Sequence, residues 1–339
     1  MKLYAGIDLH ANNNYLVVID ERDQAVFRRK QANVGTEVLR NLAGFQGQLV
    51  GIVVESTYNW YWLVDELMPA GYRVHLANPA GIRQYEGIKQ TNDWSDAHWL
   101  AHLLRLGILR EGYIYPRERR AVRDLLRKRR QLVQQRSAQL ISIQTLVNRN
   151  TGDQITSSHL KQLSCPEVEG WYEEPERVMA VQASLRVQQA LEQEIKRIEK
   201  QVKGRVKLEA GYQRLLRVWG IGEILALTIM LETGELSRFA SVGDYSSYCR
   251  CVQSQRLSNG RKKGENNAKC GNRYLAGAYV EAAHFAARFY DRAQAFVARK
   301  TAQVNRALAL KALANKLCRA SYYVMRDGVE FEPTQLFGS

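Results

Sequence analysis

Four acidic residues constrain this chain more than any other feature in it: Asp8 in Gly6-Ile7-Asp8, Glu55 in Val53-Val54-Glu55, and Asp93 and Asp96 in Asn92-Asp93-Trp94-Ser95-Asp96-Ala97. The first two close short apolar runs, 3–7 and 49–54, that read as buried strands. The last two stand three apart where a helical pattern begins, so both carboxylates leave one helix face. A carboxylate at the end of a buried strand is costly unless a cation compensates it. Four converging carboxylates raise one another's pKa values unless a divalent metal lies between them. Hard oxygen donors suit magnesium or manganese rather than zinc, which points to a two-metal site for phosphodiester cleavage. Each acid has another role open to it: Asp8 as a turn residue, Asn92 or Asp93 as a helix N-cap, Asp96 as a first-turn dipole partner. Their order on this strand pattern argues for the metal.

At 339 residues the chain accommodates two or three domains. Its net charge of +15 is unevenly placed. Residues 1–115 carry 11 Lys/Arg against 12 Asp/Glu, residues 116–205 carry 18 against 11, and residues 206–339 carry 20 against 11. A near-neutral module therefore holds the acids and two basic modules follow, which suits a nuclease centre delivered to a polyanion. The cysteines (Cys165, Cys249, Cys251, Cys270, Cys318) are an odd set without a Cys-x-x-Cys pair. A reduced, cytoplasmic location fits them better than a disulfide framework or a zinc module, with zinc through Cys249, Cys251, Cys270 and a histidine as the lesser alternative. No apolar run approaches the roughly 20 residues of a membrane span, nor is there room before Asp8 for a signal-peptide core, so no membrane partner is expected.

Within 1–115 the pattern predicts strands over 3–8, 15–20 and 25–31, parted by turns at Asn12-Asn13-Asn14 and Glu21-Arg22-Asp23. A helix capped by Thr36 and running to about 43, the strand ending at Glu55, a helix over 57–68, a strand over 72–77 and the helix bearing Asp93 and Asp96 follow. Three hairpin-ordered strands and then alternating helices and strands is the order of an α/β, ribonuclease-H-like domain. In that fold, acids on the first strand, the fourth strand and a late helix come together. His98 and His102, spaced i,i+4, are open between metal or DNA contact and helix packing; packing is favoured because the oxygen tetrad suffices.

Residues 116–205 read as two long helices. Val122, Leu126, Arg129, Val133, Arg136, Leu140, Ile143 and Val147 keep four-and-three spacing, with arginine interrupting the seam twice. Leu191, Ile195, Ile198 and Val202 repeat the spacing, and Gly152, Pro166 and Pro175 break the chain between the two arms. An antiparallel coiled-coil hairpin that supports oligomerisation is the simplest account. Eight basic residues fall within 117–130, and Arg117, Arg120, Arg127 and Arg130 are candidates for phosphate contact; a solvated helix face is the alternative.

In 206–339, Gly220-Ile221-Gly222 between helical segments resembles a helix-hairpin-helix, where glycine lets backbone N–H groups approach a phosphate; a tight helix turn binding nothing is the alternative. The stretch from Ser254 to Gly264 reads as a flexible, glycine-flanked loop carrying Arg256, Ser258, Arg261, Lys262 and Lys263, with Lys269 just beyond it. A serine there is well placed to meet a scissile phosphate while the cations stabilise the transition state, although loop serines usually serve turn chemistry. Apolar helices complete a mostly helical region.

Together these motifs resemble the DEDD transposases and Piv-type site-specific recombinases, a bacterial insertion-sequence group described as guided by bridge (seek) RNA. The resemblance rests on Gly6-Ile7-Asp8, Glu55-Ser56-Thr57-Tyr58-Asn59-Trp60-Tyr61, Asn78-Pro79, Thr91-Asn92-Asp93 with Asp96-Ala97, Gly220-Ile221-Gly222, Ser258-Asn259-Gly260-Arg261-Lys262-Lys263-Gly264 and Gly271-Asn272-Arg273-Tyr274-Leu275. It implies a RuvC-like nuclease domain over 1–115, a coiled coil over 116–205 and a transposase domain over 206–339. It also implies that Asp8, Glu55, Asp93 and Asp96 bind Mg2+ or Mn2+, and that Ser258 attacks DNA and becomes covalently linked to it, with Ser254 competing for that role. Partners implied are donor and target DNA, a noncoding guide RNA and further copies of the chain as a dimer or tetramer, in a cytoplasmic, nucleoid-associated setting. The rival is a metal-dependent, junction-resolving nuclease that forms no covalent intermediate.

Overall fold

The computed structural model describes residues 1–79, 92–206, 210–252, 255–265 and 270–337. Contacts divide the chain into two compact units, one formed by Met1–Arg117 with Gln255–Cys270 and the other by Glu118–Ser254 with Gly271–Ser339.

The first unit is built on β1 (Leu3–Leu9), β2 (Asn13–Ile19), β3 (Ala25–Ala32), β4 (Leu49–Glu55) and β5 (Val74–Ala77), with α1 (Gly35–Ala43), α2 (Tyr61–Leu67) and α3 (Asp93–Arg105). They form a mixed five-stranded sheet in the order β3-β2-β1-β4-β5. β1 and β2 are antiparallel, as a short polar turn demands, whereas β4 returns parallel to β1 after the α1 crossover. Because side chains alternate along a strand, β1 faces two ways. Leu3, Ala5, Ile7 and Leu9 pack into one buried cluster with Val38, Leu42, Leu63, Val64 and Leu67 from α1 and α2. Gly6 and Asp8 therefore face the side covered by α3, where Ala97 and Ala101 pack on Tyr15, Val17 and Ile19.

Several boundaries differ from the sequence reading: β2 begins at Asn13, inside the expected turn, β5 begins at Val74 rather than 72, and two helix starts differ for visible reasons. α1 begins at Gly35 after Val34, without a side-chain cap from Thr36. α2 begins at Tyr61 rather than 57, because Thr57 bonds Asn59 at 2.8 Å and Asn59 reaches the carbonyl of His10 at 2.9 Å. A larger correction concerns the expected serine loop, which is a hairpin of β6 (Gln255–Ser258) and β7 (Arg261–Glu265). Asn259 and Gly260 turn it with φ of 51° and 71°, the left-handed pair that a two-residue hairpin turn requires.

The second unit holds α4 (Arg117–Thr151), α5 (Ser157–Leu160), α6 (Pro175–Val206), α7 (Ala210–Leu215), α8 (Glu223–Thr233), α9 (Val242–Tyr248), α10 (Arg273–Phe289), α11 (Asp291–Thr301), α12 (Arg306–Arg326) and α13 (Pro333–Phe337). The two arginines that interrupt the apolar seam of α4 bind across to α6: Arg129 reaches Glu199 at 2.7 Å, and Arg136 pairs with Glu192. The far end is closed by Leu140, Ile143 and Val147 packing on Leu160, Leu163, Val181 and Leu185. At the near end Leu126, Ile198 and Val202 join the same core as Leu227, Tyr245, Tyr279, Leu313 and Leu317, so the sequence division at 205 crosses one continuous core. Among the described residues no helix is long and apolar enough to cross a membrane.

Candidate metal centre and nucleic-acid surface

The register of the parallel pair β1–β4 sets Ile7 beside Val54, so the next residues, Asp8 and Glu55, emerge together at the ends of neighbouring strands. Asp8 is 6% exposed, and its carboxyl is hydrogen-bonded to that of Glu55. α3 supplies the other two acids. Asn92, not Asp93, is its N-cap: Asn92 Oδ1 accepts from Ser95 N at 3.0 Å, while Asn92 N donates to Ser95 Oγ at 2.8 Å. Asp93 is thereby released from capping and lies in the first turn with Asp96.

The electrostatics tie the acids together through Asp8, which feels Glu55, Asp93 and Asp96, while Glu55 feels Asp8 and Asp96. Burial pushes the Glu55 carboxyl up to about 7, reinforced by the charges of Asp8 and Asp96. Burial also raises Asp8, opposed by His10 and assisted by Asp96 and Asp93. Two bonded carboxyl groups, both raised, beside two more acids form a site short of positive charge. An all-oxygen set of this kind fits a hard divalent cation, and Asp8, Glu55, Asp93 and Asp96 are the side chains that would hold it.

Sequence reasoning missed His10. Its Nε2 lies 3.2 Å from Asp8 Oδ2 and 3.3 Å from Asp93 Oδ1. It lies two residues beyond Asp8, just past the end of β1, and this i,i+2 spacing is the signal that could have found it. The two histidines that were noticed lie elsewhere: His102 Nδ1 contacts Asp23 at 2.8 Å and His98 Nε2 contacts it at 3.5 Å, so both tie α3 to the β2–β3 turn. Burial raises the Asp23 carboxyl, but the bonds from His102 and His98 prevail and hold it below its ordinary value. Among the described residues, one set of three possible ligand atoms lies within 4.8 Å of one another, on Asp8, His10 and Asp93, and it includes no cysteine.

The basic run over 117–130 does not form one open face. Arg120 and Arg123 are buried, and Arg127 makes a two-pronged bond to the buried Glu232 at 2.6 and 2.7 Å. Arg130 lies over the Tyr274 ring at 5.4 Å and donates to its carbonyl. The structural role of Arg120 and Arg127 follows from helix geometry, since a run this dense must turn some members inward. Arg117 and Lys128 are the exposed members, Arg117 lying 3.5 Å from Asp65.

Gly220 and Gly222 also part company. A Cβ on Gly220, whose φ is +78°, would overlap the Ala282 carbonyl and stand 2.8 Å from Ala286 N, so this glycine serves the close packing of α10. Gly222 caps α8 and has open space beside it. At the hairpin tip Ser258, Arg261 and Lys263 are exposed. Arg256 and Lys262 belong to β6 and β7, but their side chains lie outside the described residues, as do Ser254 and Lys269 entirely. The segment 255–258, which ends at Ser258, is extended.

Two family models match the chain, both of transposases: a DEDD transposase of the IS110 type over residues 5–150 and the transposase IS116/IS110/IS902 family over residues 212–298. The first match contains all four acids and the second contains Gly220, Gly222 and Ser258. The chain is also similar to a protein of Pseudomonas aeruginosa described as a probable family 20 transposase, 25% identical over 284 residues, which is 80% of each chain. This chain belongs to the IS110 family of DEDD transposases, enzymes that cut and rejoin DNA.

Proposed function

We propose that the protein is an insertion-sequence recombinase that exchanges DNA strands through a metal-dependent Asp8–Glu55–Asp93–Asp96 centre and a phosphoseryl intermediate on Ser258. The observation that carries this reading is the clustering of the acids: Asp8 and Glu55 lie side by side at the ends of adjacent strands, and Asp93 and Asp96 add their charges from the first turn of α3. The sheet order β3-β2-β1-β4-β5 with α3 against its face supports a RuvC-like, ribonuclease-H-like domain. Magnesium or manganese, when bound, would polarise the scissile phosphate and favour ionisation of the serine hydroxyl.

The chain's own residues have separable tasks in this scheme. Ser258 Oγ attacks phosphorus, the P–O3′ bond breaks, the seryl proton is lost and the departing 3′ oxygen takes one up. A 3′-hydroxyl on the partner DNA end then reverses the linkage and frees Ser258, so no nucleotide cofactor is consumed. Arg256, Arg261, Lys262, Lys263 and Lys269 stand close to Ser258 in sequence and would meet phosphate oxygens there. Arg117, Arg130 and the open N-terminus of α8 at Gly222 are further phosphate contacts in this reading. A noncoding guide RNA would supply sequence choice by base pairing, and α4 with α6 would act as a coiled coil in a dimer or tetramer.

The metal-only nuclease reading is favoured by one observation: Asp8, Glu55, Asp93 and Asp96 form a carboxylate set that would serve hydrolysis by water without Ser258. End-labelled DNA separates the two. With Mg2+ and the copurifying RNA, a 3′-labelled strand should migrate with the protein on a denaturing gel, in wild type and Ser254→Ala but not in Ser258→Ala. Cut DNA with no adduct in any variant would leave the nuclease.

A further inference from the structure

Among the described residues His10 is the basic group set between Asp8 and Asp93, and its position is built rather than incidental. Its backbone N–H donates to the Asn13 carbonyl at 3.0 Å, and its own carbonyl accepts from Asn33 Nδ2 and Asn59 Nδ2, each at 2.9 Å. Asn33 is held in turn by the buried Asn14, whose Nδ2 donates to Asn33 Oδ1 at 3.1 Å. The imidazole stands edge-on to Tyr15, with ring centres 5.6 Å apart. Nε2 is thereby set between Asp8 Oδ2 and Asp93 Oδ1, and the three ligand atoms lie within 4.8 Å of one another.

We propose that His10 is a direct ligand of the divalent ion and makes this site prefer manganese to magnesium. The proposal rests on the carboxylate reading above and adds a nitrogen donor to it. Magnesium takes oxygen ligands and keeps its waters, so an imidazole nitrogen does little for it. Later first-row ions gain more from nitrogen, and manganese accepts carboxylates and imidazole together. The rival role is that of a place-holder: an imidazole that bridges Asp8 and Asp93 without the ion and swings out when the ion arrives.

Manganese itself is the probe. Full-length protein titrated with Mn2+, with free ion followed by EPR, gives the affinity; Mg2+ competition gives the preference; pulsed EPR of the bound ion reads nitrogen coupling. We expect imidazole nitrogen coupling in wild type and its loss in His10→Ala and His10→Gln. Both variants should bind Mn2+ at least about tenfold more weakly, with Mg2+ affinity changing less. Circular dichroism, unchanged in His10→Gln, separates ligand loss from misfolding. Bound manganese without nitrogen coupling in wild type, or an unaltered manganese-to-magnesium preference in both variants, would overturn the proposal. Absence of bound manganese in wild type, or full binding by Asp8→Asn, would overturn the carboxylate reading and this one with it.

Discussion

Gly6 on β1 lies directly against the backbone of Ala97 on α3: a methyl group on Gly6 would overlap the Ala97 carbonyl oxygen and stand 2.8 Å from Ala101 N. The contact joins the strand that carries Asp8 to the helix that carries Asp93 and Asp96, so glycine sets how near the acids come. Gly6→Ala should lift α3 from the sheet, because the obstructing atoms are backbone and cannot rotate away. Overpacking of this kind costs about 1–3 kcal/mol, readable by chemical denaturation, and should weaken divalent-metal binding as well. Wild-type stability together with wild-type metal affinity in Gly6→Ala would count against this geometry.

The paired carboxyls predict an unusual pH response. Glu55, pushed up to about 7 by burial and then by Asp8 and Asp96, keeps in the folded protein a proton that the unfolded chain releases near 4.5. Stability from this group is therefore complete below about pH 4.5, declines as pH rises toward 7, and is constant beyond. Between pH 5 and 7.5 the metal-free wild type should lose about 1–2 kcal/mol relative to Glu55→Gln, after allowance for solvent screening. Divalent metal added at pH 7.5 should restore stability in wild type and much less in the variant. Parallel pH–stability curves for the two proteins would show that Glu55 is not perturbed.

Much of this site was legible because strand periodicity and chain order are local properties. Gly6-Ile7-Asp8 and Val53-Val54-Glu55 close apolar runs, and the parallel register then sets the two acids side by side. Asp93 was less certain, since Asn92 and Asp93 are both good caps and only the bonds between Asn92 and Ser95 decide between them. His10 was missed because it follows the strand in a polar turn and its meaning depends on Asp93, distant in sequence. The hairpin at Asn259-Gly260 carried a readable turn signal that the glycine-rich, basic composition obscured. Arg120 and Arg127 were misplaced because a count of charges is blind to which helix face is buried.

Arg127 gives a direct test of that last point. Its guanidinium grips Glu232, which is 3% exposed, and Asn272 Nδ2 donates to the same carboxylate at 2.7 Å while capping α10. Arg127→Ala leaves a buried carboxylate without its cation and should cost about 3–5 kcal/mol in urea denaturation. Lys128→Ala, at the exposed neighbour, should change stability by no more than about 0.5 kcal/mol. If Lys128 meets phosphate, its loss should also reduce the salt slope of DNA affinity by about one. A stable Arg127→Ala protein with only weakened DNA binding would return Arg127 to the phosphate-contacting set.

The pairs Arg129–Glu199 and Arg136–Glu192 share one antiparallel register, since a step of seven residues forward on α4 matches a step of seven back on α6. Both arginines occupy seam positions where an apolar residue would pack equally well, so charge here specifies alignment at some expense of packing. Arg136→Glu should destabilise the helix pair by placing a second acid against Glu192. Combining it with Glu192→Arg should recover most of the loss. A double-mutant cycle in chemical denaturation should give a coupling of about 1 kcal/mol, because these half-buried pairs remain partly screened. The coupling should shrink between about 0.1 and 1 M salt as the Debye length falls from about 10 to 3 Å. Zero coupling at low salt for both pairs would mean that α4 and α6 do not hold this register in solution.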